Sequence, residues 1–168
     1  MASNFHLAQI NISRLLAPLD HPMIKEFNDF IDPVNKLGED SPGFVWRLKD
    51  DSGASSSHVE TPFDDDIIIN FTVWENLESL YAFSFTTVHA YFLKNRNKWF
   101  GKYEGNRLAM WWIPEGHIPS LHEGVEKLRK LDAEGPGPEV FTFKALYRPD
   151  GTPMKFTDLK TGSADITY

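Results

Sequence analysis

The chain has 168 residues, 24 acidic against 17 basic side chains, a net charge of −7 and no cysteine. That length fits one domain able to bury about 70% of its unfolded surface without staples. The acidic balance argues against a phosphate-neutralising face, so nucleic acid is not an expected partner. The missing thiols exclude disulfides, thiolate metal sites, iron–sulfur clusters and a cysteine nucleophile.

Taken in chain order, Phe5–Leu16 predicts a strand, with Leu7, Gln9, Asn11 and Ser13 alternating with His6, Ala8, Ile10 and Ile12. Asp20 and Pro22 start a helix through Met23, Ile24, Phe27, Phe30 and Ile31, which Pro33 should interrupt. A shorter piece through Val34 and Leu37 closes at Gly38. Phe44–Leu48 is a second strand, Lys49–Asp66 a solvated loop and Ile67–Trp74 a β-branched third strand. Asn76 caps a long helix from about Leu77 to Lys98, and Arg107–Ile113 is a fourth strand. Ser120 and Glu123 have capping-box spacing before a helix with Val125, Leu128 and Leu131 on one face, ended near Gly135. Val140–Tyr147 is a last strand and Arg148–Tyr168 a weakly ordered tail, giving one domain over residues 1–147 and a tail over 148–168.

The order β-α-β-β-α-β, with an added helix and strand, predicts an α+β, ferredoxin-like fold: an antiparallel sheet with helices on one face. Its other face is left bare, so a homodimer is the expected completion. No apolar run reaches a membrane span, and Met1–His21 lacks a basic start followed by an apolar core. A soluble cytoplasmic protein without membrane contact is expected. Aromatics reach 14%. They fill cores, line pockets for flat organic ligands and enrich subunit interfaces, which points to a small-molecule ligand or self-association.

Three groups of residues could carry chemistry. Tyr81, Phe85 and His89 are four apart and form one helical stripe. A histidine in that apolar setting can act as an acid or base near neutral pH, or as an axial haem ligand; the alternative is a core-edge histidine satisfied by one partner. Gln9 and Asn11 on the first strand, and Asn70 and Thr72 on the third, are polar positions in strands built for burial. On one side of the sheet they would line a cavity and orient a carbonyl, phenol or enolate; otherwise they meet water or a partner subunit. Trp46, Trp74, Trp111 and Trp112 are strand tryptophans, and neighbours Trp111 and Trp112 must point to opposite faces. Arg47 could pair with an acidic substrate, or with Asp50 or Glu75. His58, Glu60, Asp64–Asp66, His117 and His122 have metal-ligand atom types without diagnostic spacing, so no metal is expected.

The stretches Leu7–Ile12, Pro42–Leu48, Val73-Trp74-Glu75, Leu80–Phe83, His89, Lys98–Phe100, Trp111–Pro114, Gly135–Pro138 and Phe141–Phe143 resemble an uncharacterised domain family of bacteria and fungi. That family is similar in fold to the dimeric α/β-barrel superfamily, which includes antibiotic-biosynthesis monooxygenases and haem-degrading enzymes. The resemblance implies a homodimeric barrel enzyme, monooxygenase-like or biosynthetic, acting on an aromatic or polyketide-like molecule without a cofactor. His89 would be the base, with Asn70 and Asn11 orienting the substrate anion. Gln9, Trp46, Arg47, Trp74, Tyr81, Phe85 and Trp111 would bind it. The rival readings are a haem protein with His89 as axial ligand and a ligand-binding dimer without turnover.

Overall fold

The structure is a computed structural model that describes residues 4–49 and 63–159. The predicted loop residues 50–62, with His58 and Glu60, lie outside the described residues, as does the end of the chain from 160.

The architecture is mixed α+β: four helices and a four-stranded antiparallel sheet. The strands are β1 (Phe5–Arg14), β2 (Phe44–Arg47), β3 (Ile67–Trp74) and β4 (Leu108–Pro114), in the order β2-β3-β1-β4. In register, Gln9 faces Thr72 on one side and Met110 on the other, and Asn11 faces Asn70 and Leu108. Leu7 likewise faces Trp74 and Trp112. Side chains alternate across a strand, so these residues share one face, called here the amide face. Ala8, Ile10, Ile12, Ile69, Phe71, Val73, Ala109, Trp111 and Ile113 share the other, the apolar face.

Helix α1 (Lys25–Asp40) follows a short 3₁₀ turn over Pro22–Ile24. His21, not Asp20, supplies the cap, accepting from the Met23 N–H through Nδ1. Pro33 does not interrupt α1 and Gly38 does not end it. Gly38 is instead buried, and a Cβ there would stand 3.4 Å from the Phe83 ring, an ordinary van der Waals contact.

The long helix expected over Leu77 to Lys98 is broken into α2 (Leu77–Thr86), α3 (Val88–Lys94) and a 3₁₀ turn over Arg96–Lys98. The cause is the pair Thr86-Thr87. Their hydroxyls donate back to the carbonyls of Ala82 and Phe83, and Thr87 is extended at φ −115° and ψ −174°. Hydroxyl back-bonding competes with the helix ladder, and branching at Cβ lowers helix propensity further.

The first three helices and the segment after residue 140 cover the amide face. Ile24, Phe92 and Trp99 pack near Ile68, while Leu77, Leu80, Tyr81, Phe141, Leu146 and Leu159 pack near Leu7, Trp74 and Met110. Helix α4 (Leu121–Glu134) covers the apolar face with Leu128 and Leu131. The bare face expected from the sequence is therefore filled by this chain's own helix. Contact is close: a Cβ at Gly124 would meet Phe71 Cε2 at 2.7 Å and Ile10 Cδ1 at 2.9 Å. Ser120 caps α4 by accepting from the Glu123 N–H, but the Glu123 carboxylate turns to His117 Nε2 at 3.0 Å.

Val140–Tyr147 is not one strand. Phe141 bridges Met110 on β4, and β5 (Leu146–Tyr147) pairs with β6 (Pro153–Met154). Phe156 reaches back to Tyr81 and Phe143, so residues 148–159 form structure against the core.

Candidate functional site

The polar positions of β1 and β3 meet in one hydrogen-bonded row. The Gln9 amide donates from Nε2 to Thr72 Oγ1 at 2.8 Å and to Asn70 Oδ1 at 3.1 Å. Asn11 Nδ2 donates to Gln9 Oε1 at 2.6 Å and to Asn70 Oδ1 at 3.2 Å. Trp74 Nε1 donates to Thr72 Oγ1 at 2.9 Å. Gln9 and Thr72 are buried at 2% and 6% exposure, while Asn11 and Asn70 are half-buried. The row thus has a closed end and an end that reaches solvent.

Counting donors and acceptors locates what is left over. Gln9 spends both amide protons and its carbonyl inside the row. Asn70 spends its carbonyl twice, and Asn11 spends both amide protons. The Asn70 NH₂ group and the Asn11 carbonyl then have no hydrogen bond among the described residues. Together they offer one donor side and one acceptor at the open end of the row.

An aromatic stack leads away from the closed end. Phe44 meets Trp74 edge-on at 5.5 Å, Trp74 stacks with Phe83 at 5.3 Å, and Phe83 meets the His89 ring at 5.0 Å. The break at Thr87 sets the position of His89. It removes the helical donor that Ser84 O would otherwise receive, and His89 Nδ1 takes that place at 3.1 Å. A carbonyl only accepts, so Nδ1 carries the proton and Nε2 keeps its lone pair. Burial pushes the His89 pKa below the ordinary imidazole value, against a smaller opposing effect of the Ser84 hydrogen bond. His89 is therefore neutral at neutral pH, with Nε2 able to accept a proton or bind a metal-centred group.

Arg47 lies opposite Thr72 at the sheet edge. Its partner is Glu39 of α1, which accepts from Nε at 2.7 Å; Lys49 stands 3.5 Å from the same carboxylate oxygen. The Arg47 hydrogen bond holds the Glu39 carboxyl below its usual pKa.

Not every candidate joins this cluster. Trp46 and Trp111 lie on the apolar face and meet Phe71 edge-on from either side, at 5.5 and 5.8 Å. Trp112 points to the amide face, as alternation requires, and donates to Tyr147 O at 2.8 Å. Tyr81 and Phe85 pack on each other and on Phe156 and Phe143. The stripe expected to join them to His89 is interrupted where the helix breaks. Sequence reasoning missed Thr72 as the acceptor joining Gln9 to Trp74, and Phe83 as the bridge between Trp74 and His89. For Thr72 the signal was its place between Asn70 and Trp74 on one strand face; Phe83 had none, because its partner depends on the break. Asp64 and Asp66 of the acidic stretch pair with Arg14. Among the described residues, no group of three or more His, Asp or Glu side chains is arranged to hold a metal, and no helix is long and apolar enough to cross a membrane.

A family profile described as a domain of unknown function (DUF3291) matches residues 6–157. The chain belongs to that family. No curated protein matches it. Among solved structures it is similar to NE2512, a protein of unknown function from Nitrosomonas europaea. That likeness has 12% identity, covers 70% of this chain and 97% of the other, and has a TM-score of 0.42.

Proposed function

We propose that the protein binds a small aromatic or polyketide-like molecule on the amide face and acts on it as an enzyme. The observation that carries this reading is the unspent pair at the open end of the row, the Asn70 NH₂ and the Asn11 carbonyl, backed by locked partners. A donor beside an acceptor matches an enol next to a carbonyl, or a phenol next to a carbonyl. Preorganised amides of this kind, held by locked partners, stabilise an enolate or phenolate placed against them. The Trp74–Phe83–His89 stack begins at the other, closed end of the row, so His89, neutral with Nε2 bare, has the protonation state of a base for a molecule long enough to extend along the row from Asn70. Gln9 and Thr72 are positioning residues. Arg47, tied to Glu39, fixes the edge. Trp46, Trp111, Tyr81 and Phe85 are core residues in this reading.

The strand order and the sequence of elements support the ferredoxin-like assignment. The homodimer loses the motive of a bare apolar face, since α4 fills it, and the proposed site is built within one chain. Sedimentation of the dilute protein gives its subunit number.

Native mass spectrometry of the purified protein, followed by extraction of retained small molecules, tests the proposal. The expected result is a retained oxygenated aromatic or enolic compound in the wild type that is lost from Asn70→Ala. No retained compound and no saturable binding of an aromatic β-diketone would overturn it.

A second reading rests on His89 alone. A histidine whose Nδ1–H is held by a carbonyl presents Nε2 in the manner of an axial haem ligand. Titration with haem decides it: a Soret band in the wild type that His89→Ala removes supports haem binding, and a spectrum equal to free haem excludes it.

A further inference from the structure

On the other face of the sheet, just beyond the Asn11 end of the row, lies a groove of about 570 Å³ lined by Arg14, Lys102, Tyr103, Glu104 and Arg107. We propose that this groove binds a small oxyanion, a phosphate monoester rather than a carboxylate. It is separate from the amide-face site. Arg14 shares its strand parity with Ile10 and Ile12, and Arg107 with Ala109 and Trp111, so both belong to the apolar-face side at the end of the sheet.

The charge pattern points to an anion. In an acidic chain, three of five lining residues are cationic. Arg14 is already engaged by Asp66 at 2.5 Å and Asp64 at 3.7 Å, with its guanidinium 6.0 Å from the Tyr103 ring centre. Lys102 and Arg107 have no ion pair among the described residues, and Glu104 is the only carboxylate in the lining. Lys25, Lys36, Arg47, Lys49, Arg129 and Lys130 each have a carboxylate within 4 Å, and other cations such as Lys94, Lys127 and Lys144 have none among the described residues; Lys102 and Arg107 are the unmatched pair that lines a common groove. Two unmatched cations on one groove fit a doubly charged oxyanion such as a phosphate monoester better than a singly charged carboxylate, and the Arg107 guanidinium can bind two of its oxygens.

The groove is also held in shape. Arg107 O accepts from Ile12 N, and Gly101 N donates to Arg14 O, each at 2.8 Å, so both ends of the segment are tied to β1. Asn106 is pinned to Asp132 Oδ1 by its backbone N–H and its side-chain amide, at 2.7 and 2.8 Å. Tyr103 packs against the apolar core. Ligand binding therefore orders little that is not already ordered, which favours affinity.

Calorimetric titration with inorganic phosphate, and with acetate at matched ionic strength, tests the proposal on the full chain. The expected result is saturable phosphate binding that exceeds acetate binding. Arg107→Gln and Lys102→Gln should each weaken it by about tenfold, the scale of one charged hydrogen bond. Arg129→Gln, which alters an exposed helical cation paired with Glu126, should leave it unchanged. No saturable phosphate binding by the wild type, equal affinity in Arg107→Gln, equal loss in Arg129→Gln, or acetate binding as tight as phosphate overturns it.

Discussion

The two faces of the sheet come from the same strands and differ by one residue of register, yet they are built to opposite rules. On the apolar face Ala8, Ile10, Phe71, Trp111 and their neighbours close directly on α4, at a distance only Gly124 permits. On the amide face Gln9, Asn11, Asn70 and Thr72 satisfy one another first, and only the half-buried Asn pair keeps groups to spare. A packed face gains stability from every atom, whereas a buried polar row roughly breaks even and is costly when half satisfied. The contrast shows that on the amide face the packing is carried by Leu7, Trp74, Met110 and their neighbours, while the polar row between them adds little to stability.

Substitutions can break that contrast, and the largest effect should come from the apolar face. Phe71→Ala removes a side chain at 1% exposure that lies between Trp46 and Trp111, and should cost about 3–5 kcal/mol in urea unfolding while leaving the amide row intact. Next comes the closed end of the row. Gln9→Leu removes one hydrogen-bond partner each from the buried Thr72 and the half-buried Asn70 and Asn11 and should cost about 1–3 kcal/mol by the same measurement. The open end should behave differently: Asn70→Ala should cost about 1 kcal/mol or less, because solvent reaches that position, yet abolish ligand retention in native mass spectrometry. If Asn70→Ala destabilises as much as Gln9→Leu and binding is unaffected, the distinction between the two ends disappears.

The smallest effect is a pH slope. Burial holds the folded His89 pKa below the unfolded value of about 6.5. As pH falls through that value the unfolded chain takes up the proton first, so stability is present above it and declines as pH drops toward the folded value. Thermal unfolding between pH 7.5 and 5.5 should therefore show a shallower loss in His89→Asn than in the wild type. Glu39, held low by Arg47, loses its contribution only at more acidic pH and does not confound this window.

The parts legible in the sequence were those that depend on alternation. The third strand, Ile67–Trp74, has the observed bounds, and the opposite facing of Trp111 and Trp112 follows from period two alone. The gathering of Gln9, Asn11, Asn70 and Thr72 on one side needed only the pairing of β1 with β3. What the sequence hid depends on single competing hydrogen bonds or on distant segments. Thr86 and Thr87 look like helix residues until their hydroxyls claim carbonyls, and that choice moves His89 from the Tyr81–Phe85 stripe to Phe83. The placement of α4 on the apolar face rests on Gly124, whose role is visible only once Phe71 is opposite it. Arg47 found Glu39 because α1 runs on through Pro33 to Asp40, seven residues beyond the expected interruption.

The most direct test is the side-chain amide signals of Asn70 and Gln9 in ¹⁵N-labelled protein as benzoylacetone, an aromatic enol, is added. Saturable displacement of the Asn70 NH₂ pair, with a smaller movement at Gln9, is the predicted result. An Asn70 pair that stays still, or shifts no more than amides on the far face of the sheet, contradicts a ligand-facing role for the amide row.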